Sequence, residues 1–73
     1  MIKIITGGKV YKATLKEDAT GYAVNVFAPD DNKMPIFGTR FGLKASFEKD
    51  MMEWIKLKCQ LHSENKVESI KII

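Results

Sequence analysis

Two β-rich runs separated by a glycine pair dominate the N-terminal part of the chain. "IKIIT" and "KVYKATLKE" flank Gly7 and Gly8, and a two-residue Gly-Gly loop is a frequent hairpin connection because glycine tolerates positive φ. In the second run Tyr11, Ala13 and Leu15 alternate with mostly polar residues, so one face of the strand is apolar and the other carries lysines. We expect a hairpin here, and a single long strand bulged at the glycines is the alternative.

A third and a fourth strand are predicted on either side of a loop between two prolines. The third covers residues 22–28, with Tyr22, Val24 and Val26 on one face and Phe27 on the other. "PDDNKMP" supplies the loop, and "IFGTRF" supplies the fourth strand. Period-2 alternation places the following residues of that fourth strand on a shared face: Phe37, Thr39 and Phe41.

One amphipathic helix is predicted from about Phe47 to His62. Ser46 is suited to be its N-cap, and the acidic residues of its first turn are favoured by the helix dipole. Its apolar arc has two halves, which are Met51, Met52, Ile55 and Cys59 on one side and Trp54, Leu57 and Leu61 on the other. "VESIKII" predicts a final strand over residues 67–73. The sequence therefore predicts a single α+β domain over residues 1–73, with an antiparallel sheet of about four strands, then one helix and a possible C-terminal strand.

A chain of 73 residues buries a modest core, and folds of this size usually need a disulfide, a metal or a second subunit. Cys59 is the only cysteine and His62 the only histidine, so neither a disulfide within the chain nor a metal centre is expected, and Cys59 is interpreted as a buried hydrophobe. Self-association is the remaining means of stabilisation. The surplus stripe of Trp54, Leu57 and Leu61 predicts a homodimer through paired helices; the alternative is that the terminal strand folds over it.

The charge favours polyanions weakly, with 12 basic residues against 9 acidic ones and a net charge of +3. Eleven of the 12 basic residues are lysines and one is Arg40, which indicates sequence-blind phosphate contact rather than bidentate reading of base edges. No apolar run approaches the ~20 residues that cross a bilayer, and no secretory signal is recognised. Together with the lone cysteine, this predicts a cytoplasmic or nucleoid-associated protein.

Catalytic chemistry is not indicated by any of three candidate arrangements. Cys59 and His62 are three residues apart on an apolar helical arc that is expected to pack, and the adjacent Asp30 and Asp31 suit a turn. "ITGGK" lacks the spacing and the following helix of a phosphate loop. We therefore expect no enzyme, no cofactor and no small-molecule substrate.

The stretch from Tyr22 to Leu43, set before the helix, carries a family resemblance. The third strand and its loop read aromatic-x-aliphatic-x-x-aromatic, a small residue, Pro-Asp and Lys-Met before a glycine. The residues that match are Tyr22, Val24, Phe27, Ala28, Pro29, Asp30, Lys33, Met34 and Gly38, followed by Thr39, Arg40, Phe41, Gly42, Leu43 and Ser46. This pattern resembles the transcriptional-coactivator family of single-stranded-DNA-binding domains, of the positive-cofactor-four type. The chain differs from that family in its less basic fourth strand and its added terminal strand.

The resemblance implies a strongly curved sheet, a helix-to-helix homodimer and a concave surface for unpaired DNA or RNA. Stacking of bases on aromatic rings contributes roughly 1–3 kcal/mol each. The expected stacking residues are Phe27, Phe37 and Phe41, and the expected phosphate contacts are Lys12, Lys16, Lys33, Arg40 and Lys44. Burial of Phe37 and Phe41 beneath the helix is the alternative for those two rings.

A different class of function is also open. "TLKEDATGYAVNVFAPD" resembles the start of HicB-type antitoxin domains, in which a Gly-Tyr-x-Val strand leads to Pro-Asp in a β-β-β-α-β sheet. That resemblance implies a protein-interaction module, in which Trp54, Leu57 and Leu61 or a strand edge contacts a partner protein; a phage-type inhibitor of a host enzyme is a further alternative. The face that carries Phe27 discriminates between the readings, because DNA binding needs it open and lined by lysines.

Overall fold

The fold is a five-stranded antiparallel sheet with one helix packed on it. The computed structural model describes residues 1–72, and the strands follow the spatial order β4-β3-β2-β1-β5. The elements are β1 (Ile2–Thr6), β2 (Lys9–Asp18), β3 (Gly21–Phe27), β4 (Phe37–Phe41), α1 (Phe47–Ser63) and β5 (Val67–Ile72). The α+β prediction is confirmed, and the position of Ile73 in the predicted last strand lies outside the described residues.

The N-terminal hairpin forms as its glycine pair predicts. β1 and β2 pair in antiparallel register up to Thr6 opposite Lys9, so Gly7 and Gly8 make the two-residue turn. Their φ angles are 58° and 74°, a left-handed geometry that β-carbon-bearing residues adopt at a cost. The alternative of one long bulged strand is therefore excluded.

The core lies between the helix and one face of the central strands. Met51, Ile55 and Cys59, spaced one helical turn apart, are the buried residues of α1. The sheet contributes alternate residues of three strands, which are Ile2, Ile4, Tyr11, Ala13, Val24 and Val26. We call this side of the sheet the covered face. Leu15 shares the predicted alternation but is 41% exposed.

The helix begins at the predicted residue and ends at Ser63, one residue later than predicted. Ser46 occupies the predicted N-cap position, but its side chain makes no capping bond to the backbone, and its hydroxyl donates to the Asp50 carboxylate at 3.0 Å. The Ser46 backbone, at φ −86° and ψ 7°, is not in the extended conformation typical of an N-cap. At the other end Glu64 adopts left-handed φ and donates its N–H to the Gln60 carbonyl oxygen at 2.9 Å.

The terminal strand joins the sheet and does not fold over the outer stripe of the helix. β5 pairs antiparallel with β1, with Ile2 opposite Ile72 and Lys3 opposite Lys71. Val67 and Ile70 pack against the edge of the core. The strand that follows the helix thus adds a fifth member to the sheet beside the first strand.

Candidate nucleic-acid interface

The second side of the sheet carries no helix among residues 1–72, and we call it the open face. Its residues alternate along each strand with those of the core, and Gly21 is the one among them that is buried. Cross-strand register fixes its membership because residues directly opposite each other point to the same side. The open face consists of Lys3, Ile5, Val10, Lys12, Thr14, Lys16, Asp18, Gly21, Ala23, Asn25, Phe27, Gly38, Arg40, Ser69 and Lys71.

Phe27 lies on this open face, at the last position of β3 and directly opposite Lys12. It follows the fully buried Val26, so strand alternation turns its ring away from the core. The ring is half-buried. Within residues 1–72, Phe27 is the one phenylalanine with no aromatic neighbour. Its half-exposed ring has no aromatic partner and can receive another planar group.

The other two predicted stacking rings lie on the covered face, so the expectation that they share a surface with Phe27 is corrected. Phe37 lies opposite Val26 across the β3–β4 pair. Its ring makes an edge contact with the His62 ring, with the two ring centroids 6.3 Å apart, and its centroid lies 5.5 Å from Lys58 Nζ. Phe41 makes edge contacts with the rings of Phe47 and Trp54, at centroid separations of 6.0 Å and 6.2 Å. Both rings therefore serve the packing of the helix on β4.

Three lysines form a row across the strands and lead to Phe27. Lys71 is opposite Lys3, Lys3 is opposite Lys12, and Lys12 is opposite Phe27. We call Lys71, Lys3 and Lys12 the lysine row. All three side chains are exposed. Only Lys12 was expected from the sequence, because the pairing of β1 with the distant β5 is needed to recognise the other two.

The predicted phosphate partners Lys16 and Arg40 lie at the opposite end of the open face, on either side of Ala23. Arg40 donates from one guanidinium nitrogen to both carboxylate oxygens of Asp18 at 3.0 Å and to the Thr20 hydroxyl at 2.8 Å. Hydrogen bonds from Thr20 and then from Arg40 lower the pKa of Asp18 to about 2. Asp18 is thus ionised above that pH and partly neutralises the Arg40 charge.

Lys33 and Lys44 lie in loops outside the strands. The Lys33 backbone N–H donates to the Asp31 carboxylate at 2.9 Å, which stabilises the turn after β3. This loop borders an open pocket of about 170 Å³ next to the lysine row, lined by Val10, Lys12, Ala28, Pro29, Asp30, Asp31 and Asn32. The two aspartates place negative charge on the Val10 side of Lys12.

Tyr11, Cys59 and His62 lie near one another at the C-terminal end of the helix. The Tyr11 hydroxyl lies 2.7 Å from His62 Nδ1, and burial is the main cause of the raised pKa of Tyr11. Burial also raises the pKa of the Cys59 thiol to about 11, so it stays protonated at neutral pH and weakly nucleophilic. Within residues 1–72, no three His, Cys, Asp or Glu side chains are grouped to hold a metal ion.

The predicted dimer stripe is divided by the structure into a packed part and an exposed part. Trp54 is half-buried and contacts Phe41 within the chain. Leu57 and Leu61, one turn apart, are 52% and 61% exposed. The two leucines form an apolar patch on the outside of the helix, on the side of the molecule away from the open face.

Comparison with known proteins adds no further assignment. A scan against protein-family models and searches of curated proteins and of solved structures found no match to this chain. In residues 1–72 no helix has both the length and the apolar character needed to span a membrane.

Proposed function

We propose that the protein binds single-stranded DNA or RNA on the open face, without sequence preference and without catalysis. The observation that carries this proposal is the position of Phe27, a ring with no aromatic neighbour in the described chain, next to a row of three lysines on an uncovered sheet. Unpaired bases stack on such a ring, and lysines follow the phosphates. The resemblance to positive-cofactor-four-type domains supports the same function.

The charges favour a flexible single strand that is bound through its backbone. The lysine row presents point charges without the planar fork that reads base edges. A single strand offers base faces that a duplex keeps inside its stack, so an isolated ring gains a stacking partner only from unpaired nucleotides. The unpaired, buried Cys59 supports the proposal that this binding occurs in the cytoplasm.

A homodimer through the helices is the second element of the proposal. Exposed Leu57 and Leu61 support it, because adjacent apolar side chains on a small domain gain from burial against a second copy. We expect light scattering to show a concentration-dependent dimer, and Leu57→Glu with Leu61→Glu to give a monomer. Leu15→Glu, at a 41% exposed position on the sheet, is the matched control. A wild-type mass that stays monomeric at all concentrations contradicts the dimer; binding of these leucines to a different protein would then favour the interaction-module alternative.

Nuclear Overhauser contacts between the protein rings and oligo-dT test the proposed function. We expect contacts from the Phe27 ring to thymine protons at low salt. Phe37 and Phe41 are internal controls in the same spectra, because their rings lie on the covered face and should show none. Absence of binding at low salt, or contacts confined to the covered face or to the outer side of the helix, contradicts the proposal.

A further inference from the structure

Building on the proposed function, we propose that the bound single strand crosses the β-strands along the lysine row and places a base on Phe27. Lys3 and Lys71 thereby become phosphate contacts, and the terminal strand β5 becomes part of the site. The path extends over four adjacent strands, from β5 through β1 and β2 to β3. At about 4.8 Å per strand this is a track of about 14 Å.

The repulsion between neighbouring lysines of the lysine row in the free protein is the first argument for this path. Lys3 has a lysine directly opposite it on both sides, and like charges at directly opposite positions destabilise a sheet. The described ion pair joins Arg40 and Asp18, and within residues 1–72 no carboxylate lies within 4.0 Å of Lys3, Lys12 or Lys71. A polyanion laid along the row would supply the missing negative charge.

The second argument is the contrast with a path that runs along β2. That path would lead from Lys12 to Lys16 and on to Arg40. At its far end the Asp18 carboxylate already binds Arg40 on the open face, so a phosphate there would have to compete with a resident anion. The crossing path has positive charge at three successive positions and then an aromatic ring. Asp30 and Asp31 border it on one side and disfavour a deviation toward the β3–β4 loop.

The salt dependence of oligo-dT binding distinguishes the two paths. Each lysine that neutralises one phosphate contributes about −0.7 to the slope of log K against log[salt] for a single strand. We expect Lys3→Gln and Lys71→Gln each to reduce the magnitude of the slope by about 0.7. Lys56→Gln, on the exposed outer side of the helix, removes the same charge and should leave the slope unchanged. Lys16→Gln tests the alternative, because Lys16 lies on the path along β2 and not on the lysine row.

The outcomes separate the path from the function. If Lys3→Gln and Lys71→Gln behave like Lys56→Gln while the wild type still binds through Phe27, the crossing path is overturned and the proposed function stands. A reduced slope for Lys16→Gln alone would instead assign the path along β2. If the wild type does not bind oligo-dT at low salt, the function and the path are both overturned. Circular dichroism of each variant confirms that these exposed substitutions leave the fold intact.

Discussion

Replacing Gly21 with alanine should destabilise the protein more than the same replacement at Gly8 or at Gly42. Gly21 is buried at the start of β3 with φ of 149°, in a region where non-glycine residues are strained by about 1–3 kcal/mol. An added Cβ would also lie 2.2 Å from the Phe41 carbonyl oxygen. Because that oxygen belongs to the backbone of the neighbouring strand, relief requires β3 and β4 to separate.

Two other glycines provide matched controls for the Gly21 substitution. Gly8 has φ of 74° and no atom within 4 Å of an added Cβ, so Gly8→Ala tests backbone strain without a clash. Its expected cost is about 1–2 kcal/mol. Gly42 has open space and no positive φ, and Gly42→Ala should be nearly neutral. Urea denaturation followed by circular dichroism measures the three free energies of unfolding. If Gly21→Ala lowers the free energy of unfolding no more than Gly8→Ala does, β4 moves away from the added methyl group without a measurable loss of stability, which contradicts this prediction.

Local sequence chemistry predicted the parts of the fold that depend on neighbouring residues. The Gly7–Gly8 hairpin follows from the turn itself, and the outward position of Phe27 follows from its alternation with Val26. The buried stripe of the helix follows from the spacing of Met51 and Ile55. In each case the residues that form the pattern are only a few positions apart along the chain.

Features that depend on register between distant segments could not be predicted in the same way. Phe37 faces the helix because it lies opposite Val26, and the sequence of the loop between β3 and β4 does not specify that register. The lysine row depends on β1 pairing with β5, which the period-2 pattern of either strand does not specify. The residue preference of Ser46 predicts its position at the start of the helix but not its hydrogen bond, which the hydroxyl donates to the Asp50 carboxylate.

Replacing Phe27 with alanine should have the largest effect on nucleic-acid binding. Loss of one stacked base costs about 1–3 kcal/mol, which corresponds to a roughly 5- to 150-fold weaker affinity. Phe27 points away from the core, so the substitution should leave the helix and the covered face in place. Phe27→Leu is the matched control, because leucine retains much of the apolar volume but has no aromatic face. Phe27→Trp retains the face and should retain affinity.

The most direct test is a titration of fluorescent oligo-dT, and of its duplex with oligo-dA, with the wild type and these Phe27 variants at two salt concentrations. We predict that the wild type binds the single strand more tightly than the duplex, that added salt weakens binding, and that Phe27→Ala and Phe27→Leu lose affinity while Phe27→Trp does not. Equal affinity of all four proteins for the single strand, or no binding at low salt, would contradict the assignment of Phe27 as a base-stacking residue on the open face.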